Sequence, residues 1–211
     1  TYNKGSSKPL LVFVHGLMSD SSDLKDLVSF FKKHKFPMVI MDLRGHGKST
    51  STPIRESYRL DKFVADVKNV IDDSFVNKEF YLVGYSFGGM ISLRFIELFP
   101  ERVRGLVILN SFYKSPVGIV GGTKAFRNIV LWVESLFAKH PIAERFFHNL
   151  MGGINYTDLK DMSDLSLFAK HVTNAHAKVA IYCIETVNRF NLSSFVCSIK
   201  IPTLIVAASH D

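Results

Sequence analysis

Along the first half of the chain, short and largely unbroken apolar runs alternate with longer stretches whose apolar residues recur every three or four positions. The runs are Leu10 to Val14, Met38 to Met41, Phe80 to Val83 and Val103 to Leu109. Short runs of this kind predict strands buried on both faces. Between them the period changes. Leu24, Leu27, Val28 and Phe31 predict a helix, with Asp23 and Asp26 at its start and Lys32, Lys33 and His34 at its end, charges that complement the helix dipole. Leu60, Phe63, Val64, Val67, Val70 and Ile71 form a second apolar stripe. Phe87, Met90, Ile91, Leu93, Phe95, Ile96 and Leu98 make a third helix that is apolar nearly all round and belongs in the interior, with Pro100 stopping it. Alternating strands and helices predict an α/β fold with a mostly parallel central sheet and helices on both faces.

The rhythm breaks after Ser111. Residues 112–195 show no strand pattern. Phe126, Ile129, Val130, Val133, Leu136 and Phe137 predict a helix ended by Pro141. A second is expected over Ile142 to Met151, before Gly152-Gly153, and a last long one carries Val172, Ala175, Val179, Cys183 and Val187. Sheet character returns from Ile201 to Ala208, read as one more buried strand, followed by Ser209-His210-Asp211. The expected organisation is therefore a core of residues 1–111 and 196–211, with a helical cap inserted at 112–195 over the mouth of the site.

Composition adds limits. With 211 residues, 47% of them hydrophobic and 21% charged, the chain suits one globular domain with an insertion. No apolar run has the length to cross a membrane. Cys183 and Cys197 offer neither metal-ligand spacing nor a disulfide framework, which favours a reducing, cytoplasmic compartment. The net charge of +7 leaves contact with an anionic membrane surface open, but the lysines are scattered, and no basic block interleaves with aromatics as a nucleic-acid surface would. Asp158, Asp161 and Asp164 have the wrong spacing for a calcium loop, and no P-loop or dinucleotide fingerprint is present. No cofactor or metal is expected.

The chemistry concentrates at Gly84-Tyr85-Ser86-Phe87-Gly88, set between a buried strand and a helix. That context makes G-x-S-x-G a nucleophile elbow. A serine at the apex of so tight a turn takes strained backbone angles, and Gly84 and Gly88 supply the clearance. The backbone N–H of Phe87 then lies at a helix N-terminus, where negative charge is stabilised.

Four motifs in order, His15-Gly16-Leu17, Asp42-Leu43-Arg44-Gly45-His46-Gly47-Lys48-Ser49, the elbow, and Pro202 to Asp211, resemble the α/β-hydrolase family in its cap-containing branch, over about residues 10–111 and 200–211. The resemblance implies that Ser86 is the nucleophile, that the N–H groups of Leu17 and Phe87 form the oxyanion hole, that Gly16 belongs to its loop, and that Asp211 is the triad acid. It also implies a catalytic histidine some tens of residues beyond Asp211, and first strands that would precede Thr1, so the chain is expected to be truncated at both ends. His15 and His46 are expected to be structural, His34 ends a surface helix, and His140, His148, His171 and His176 fall in the presumed cap. Serine rather than aspartate at the nucleophile position argues against the epoxide-hydrolase and haloalkane-dehalogenase branches. The expected activity is a serine esterase acting through an acyl-enzyme on a small-molecule ester with an apolar acyl chain. A thioester, a lactone or a carbon–carbon bond beside a ketone fits the same machinery, as does acyl transfer. A binding protein of this fold without catalysis is the alternative. Oligomeric state is left open.

Overall fold

The computed structural model describes residues 1–115 and 176–207, with the side chains of the second stretch from Val179 onward. Five strands form one sheet: β1 (Leu10–Val14), β2 (Met38–Met41), β3 (Phe80–Tyr85), β4 (Val103–Leu109) and β5 (Thr203–Val206). Their order is β2-β1-β3-β4-β5, and every pairing is parallel. The described helices are α1 (Lys25–Lys33), α2 (Leu60–Ser74), α3 (Phe87–Leu98), α4 (His176–Asn188) and the short α5 (Ser193–Val196). The expected parallel α/β architecture is thus present.

Successive side chains of a strand point to opposite faces, and β1 divides its own between two buried clusters. Leu10, Val12 and Val14 join Phe63, Val67 and Ile71 of α2 and Phe87, Met90 and Ile91 of α3. Leu11 and Phe13 join Met38 and Val83, with Val28 and Phe31 of α1 packed against them. The crossovers therefore cover both faces, as an unbroken apolar strand requires. Along the chain, the strand after β1 is added on one side of it and the next strand on the other. The carboxyl ends of β1 and β3 thus meet at the topological switch point, where open α/β sheets place their ligand sites.

Three features differ from the pattern in the sequence. In α1 the apolar stripe is narrower than expected, because Leu27 is 39% exposed while Leu24, in the preceding 3₁₀ turn, is buried. β5 covers only Thr203–Val206 of the run expected to reach Ala208, which lies outside the described residues. Nor is it buried: Leu204, Ile205 and Val206 are 57, 71 and 47% exposed. Among the described residues it pairs with β4, and its side chains belong to neither cluster.

Of the segment expected to form a cap, residues 112–115 and 176–195 are described; the helices expected over 126–151 and the Asp158–Asp164 turn are not. The two ends of this segment are clasped together. Lys114 and Asn191 form an isolated antiparallel bridge, flanked by Ser115 N–H to Phe190 O at 2.7 Å and Leu192 N–H to Tyr113 O at 2.8 Å. α4 lies against the core, with Val179, Cys183 and Val187 in the same cluster as α2 and α3. Burial pushes the Cys183 thiol well above its ordinary pKa, so it packs as an apolar side chain. Polar contacts reinforce the docking: Arg55 Nε to Glu185 at 2.5 Å, and Thr186 Oγ1 to Tyr58 O at 2.7 Å.

The burial of the central strands is measurable. Leu82→Ala, at a fully buried central position, should cost about 2–5 kcal/mol in urea unfolding. Val76→Ala, at a position 78% exposed, should cost less than about 0.5 kcal/mol. Equal losses would refute the burial of β3 at the centre of the sheet.

Candidate active site

β3 ends at Tyr85 and α3 begins at Phe87, so a single residue makes the turn. Ser86 stands there with φ 50° and ψ −114°, a backbone conformation that non-glycine residues seldom adopt. So abrupt a reversal throws the start of α3 back onto the sheet. A Cβ at Gly84 would lie 2.5 Å from Ser92 Oγ and 2.6 Å from Gly88 O. One at Gly88 would run into the carbonyls of Val14 and His15. Both expected elbow glycines are therefore required by close backbone approach, and the second presses α3 against the end of β1.

That contact brings the His15-Gly16-Leu17 loop beside Ser86. A Cβ placed on Gly16 would be 3.5 Å from Ser86 Cβ and 3.1 Å from the Tyr85 ring. Leu17 is half-buried and Phe87 is buried. Among the described residues, no acceptor takes the N–H of either one. Asp211 lies outside the described residues, as do His140, His148, His171 and His210.

His15 is buried and its tautomer follows from its partners. Leu43 N–H donates to Nε2 at 2.9 Å, so Nε2 carries the lone pair. Nδ1 must then bear the hydrogen, which it donates to Gly16 O at 2.8 Å. Burial lowers the pKa of His15, outweighing the acids nearby, and the ring stays neutral. With both nitrogens occupied it cannot accept a proton from Ser86. Its place is structural, tying the loop after β1 to the residue after Asp42. Asp42 in turn accepts from Ser21 N–H at 2.8 Å and Lys48 N–H at 2.9 Å. Partial burial raises its pKa, but those backbone donors prevail and hold the carboxyl below its ordinary range. Arg44 completes the support with a two-pronged contact to Asp66, 2.5 Å at each end, and a bond to Ser57 O at 3.0 Å. The second motif thus braces the loops around Ser86 without touching it in any described contact.

Two further residues support the elbow, and neither belongs to a motif. Ser92 is fully buried and donates to Gly88 O at 2.7 Å. A small polar residue on the buried face of a mostly apolar helix is the signal that marks it. Ser111 donates to Ser86 O at 2.6 Å, across 25 positions of sequence, and nothing local in the sequence announces that pairing. Among the described residues, no group of three or more His, Cys, Asp or Glu side chains is arranged to hold a metal ion, and no helix is long and apolar enough to cross a membrane.

Two outcomes follow from this geometry. Gly88→Ala should lower stability by about 3 kcal/mol, since its methyl meets rigid backbone; Gly5→Ala, with open space around it, should be neutral. The lowered pKa of His15 makes its contribution to stability complete above the ordinary value of 6.5 and progressively lost as pH falls from there through the lowered folded value. Unfolding free energy measured from about pH 8 to about pH 5 should therefore decline below about pH 6.5, with a shallower decline in His15→Gln. Identical slopes in the two proteins would contradict the buried neutral ring.

Comparison with known proteins agrees with this architecture. Residues 9–211 match the family described as alpha/beta hydrolase fold. Epoxide hydrolase 4 of Mus musculus is 33% identical over 103 residues, which are 49% of this chain and 28% of that protein. Protein phosphatase methylesterase 1 of Candida albicans is 30% identical over 133 residues, covering 60% of this chain and 36% of that protein. The chain thus spans about a third of the length of these relatives. Among solved structures, a thermophilic esterase from Thermogutta terrifontis superposes with a TM-score of 0.75 at 16% identity, covering 96% of this chain and 72% of the other. A bromoperoxidase from Bacillus anthracis gives 0.75 at 21% identity, covering 98% and 75%. At such identities the structural likeness speaks for the fold alone. The match along nearly the whole length, together with the strand order and the elbow, means that this chain belongs to the alpha/beta hydrolase fold family.

Proposed function

We propose that the protein is a serine hydrolase that cleaves a carboxylic ester through an acyl-enzyme. One observation carries the reading: Ser86 occupies a strained turn at the switch point of the sheet, beside two backbone N–H groups that no described residue accepts from. In this mechanism Ser86 Oγ attacks the acyl carbonyl and its proton passes to a histidine base. The carbonyl oxygen, now negative, is held by the N–H groups of Phe87 and Leu17. As the tetrahedral intermediate collapses, the base returns the proton to the departing alcohol. Water then adds to the acyl-enzyme by the same route, releasing the acid and restoring the serine. Asp211 is the residue proposed to orient the base, and residues 112–195 the cap that bounds the acyl pocket. No cofactor enters these steps.

Relatives named as esterases and a methylesterase support an ester substrate. The likeness to proteins named epoxide hydrolases is weighed by chemistry. A carboxylate that opens an epoxide leaves an ester, which water can cleave. A serine hydroxyl would leave an ether, which it cannot. Ser86 therefore favours acyl chemistry over epoxide opening. Thioesters and lactones remain within the same mechanism, and loss of catalysis in favour of binding is the alternative that a direct test separates. The complete gene product should react with a fluorophosphonate probe, and Ser86→Ala should abolish labelling without loss of fold by circular dichroism. Labelling that persists in the variant, or is absent from the wild-type protein, would overturn the reading.

A further inference from the structure

The residue at the elbow is held from both sides by one strand end. Ser86 N–H donates to Leu109 O at 2.9 Å. Its carbonyl accepts from Ser111 Oγ at 2.6 Å, and from Gly89 N–H at 2.9 Å. Leu109 is the last residue of β4, and Ser111 stands two positions on. Asn110 between them has φ 41°, and its N–H is held by Val206 O of β5 at 2.9 Å. This left-handed residue turns the chain back so that the Ser111 hydroxyl faces the elbow rather than continuing along the strand.

The consequence lies in the planarity of the peptide group. The carbonyl of Ser86 and the N–H of Phe87 belong to the same rigid unit and point in opposite directions. Whatever fixes the direction of Ser86 O fixes the direction of Phe87 N–H. In a strained backbone at a helix start that direction is not set by the helix ladder alone. A hydroxyl bond to the carbonyl also polarises the peptide and strengthens its N–H as a donor. We propose that Ser111 is a positioning residue: through its bond to Ser86 O it aims and strengthens the Phe87 N–H toward the oxyanion of the acyl-transfer transition state. The inference rests on the reading of Ser86 as nucleophile. Gly89 fits the same role, because any side chain there would occupy the space of the Ser111 hydroxyl.

A donor aimed at the oxyanion acts where charge develops, so its loss lowers kcat and leaves substrate binding alone. The test uses the complete gene product, p-nitrophenyl acetate and a trifluoromethyl ketone, which forms a tetrahedral oxyanion on a serine. Ser111→Ala should lower kcat about ten- to a hundredfold with KM changed less than about threefold. The Ki of the ketone should weaken by about the same factor as kcat/KM. Ser111→Thr, which keeps the hydroxyl, should recover most of the loss. All values are referred to folded protein, determined from the circular dichroism signal, so that partial unfolding does not imitate the effect. Ser86→Ala runs alongside. If it retains activity, the nucleophile reading itself fails. If it is inactive while Ser111→Ala keeps wild-type kcat and ketone affinity, the positioning role of Ser111 fails alone. A loss in Ser111→Ala that appears in KM and spares the ketone would also overturn it.

Discussion

The structure depends on how closely the first turn of α3 approaches the sheet. No Cβ fits at position 84 or 88, since the space is taken by Ser92, by the α3 backbone and by the carbonyls that end β1. Given that approach, a single residue must reverse the chain between strand and helix, and Ser86 carries the left-handed angle. Backbone strain of this kind costs about 1–3 kcal/mol and survives only where the surroundings leave no alternative. Here the alternative is excluded by burial. Phe87, Met90, Ile91, Phe95 and Ile96 of α3 are buried against the strands. Relaxing the turn would withdraw that apolar surface, each side chain of which contributes about 1.5–3 kcal/mol.

The polar support lies behind the turn. A buried histidine that could change charge would make a poor brace near neutral pH. His15 avoids this by committing its lone pair to Leu43 N–H and its hydrogen to Gly16 O. Asp42 takes the opposite course and stays charged, because two backbone N–H groups and half-exposure compensate its burial. Thus one neutral ring and one carboxylate fix the loops after β1 and β2. The ring has no free nitrogen for proton transfer at Ser86, and no described contact joins the carboxylate to Ser86. The motif from Asp42 to Ser49, conspicuous in the sequence, works as scaffolding.

Much of this fold is legible in the amino-acid pattern, for a definite physical reason. Unbroken apolar runs and 3.6-residue stripes record burial on two faces or one, and β1, β2, β3, β4, α2 and α3 follow that record. Gly84, Ser86 and Gly88 are legible because the turn between a strand and a helix restricts residue type at each position. The features that the pattern hides are decided by partners far along the chain. The run from Leu204 to Val206 is apolar throughout, yet these side chains are 47–71% exposed in the structure, which the local pattern does not show. Leu27 fits a helical stripe but falls outside the angle α1 presents to the sheet. Ser111 donates a hydrogen bond whose acceptor, 25 positions back, the local pattern does not identify.

The fold leaves the chemistry of the substrate open, but it constrains which parts of a site can be exact. At the switch point, the hydrogen bonds described for the Ser86 backbone tie it to main chain or to the hydroxyl of Ser111: the carbonyl of Leu109, the N–H of Gly89 and Ser111 Oγ. Backbone groups of this sort hardly reorganise when charge appears, which is what electrostatic stabilisation of an oxyanion requires. Recognition of an acyl or alcohol group, by contrast, needs side chains that differ from one enzyme to another, and loops and insertions supply them. In this chain the segment between β4 and β5 is the proposed source of such side chains. The clasp of Tyr113, Lys114 and Ser115 against Phe190, Asn191 and Leu192 holds its two ends together. The described ends of that segment are therefore anchored a few residues from Ser111, on the same strand end that grips the elbow. Under the proposal, variation between those ends changes what is recognised without disturbing the turn on which the proposed chemistry depends.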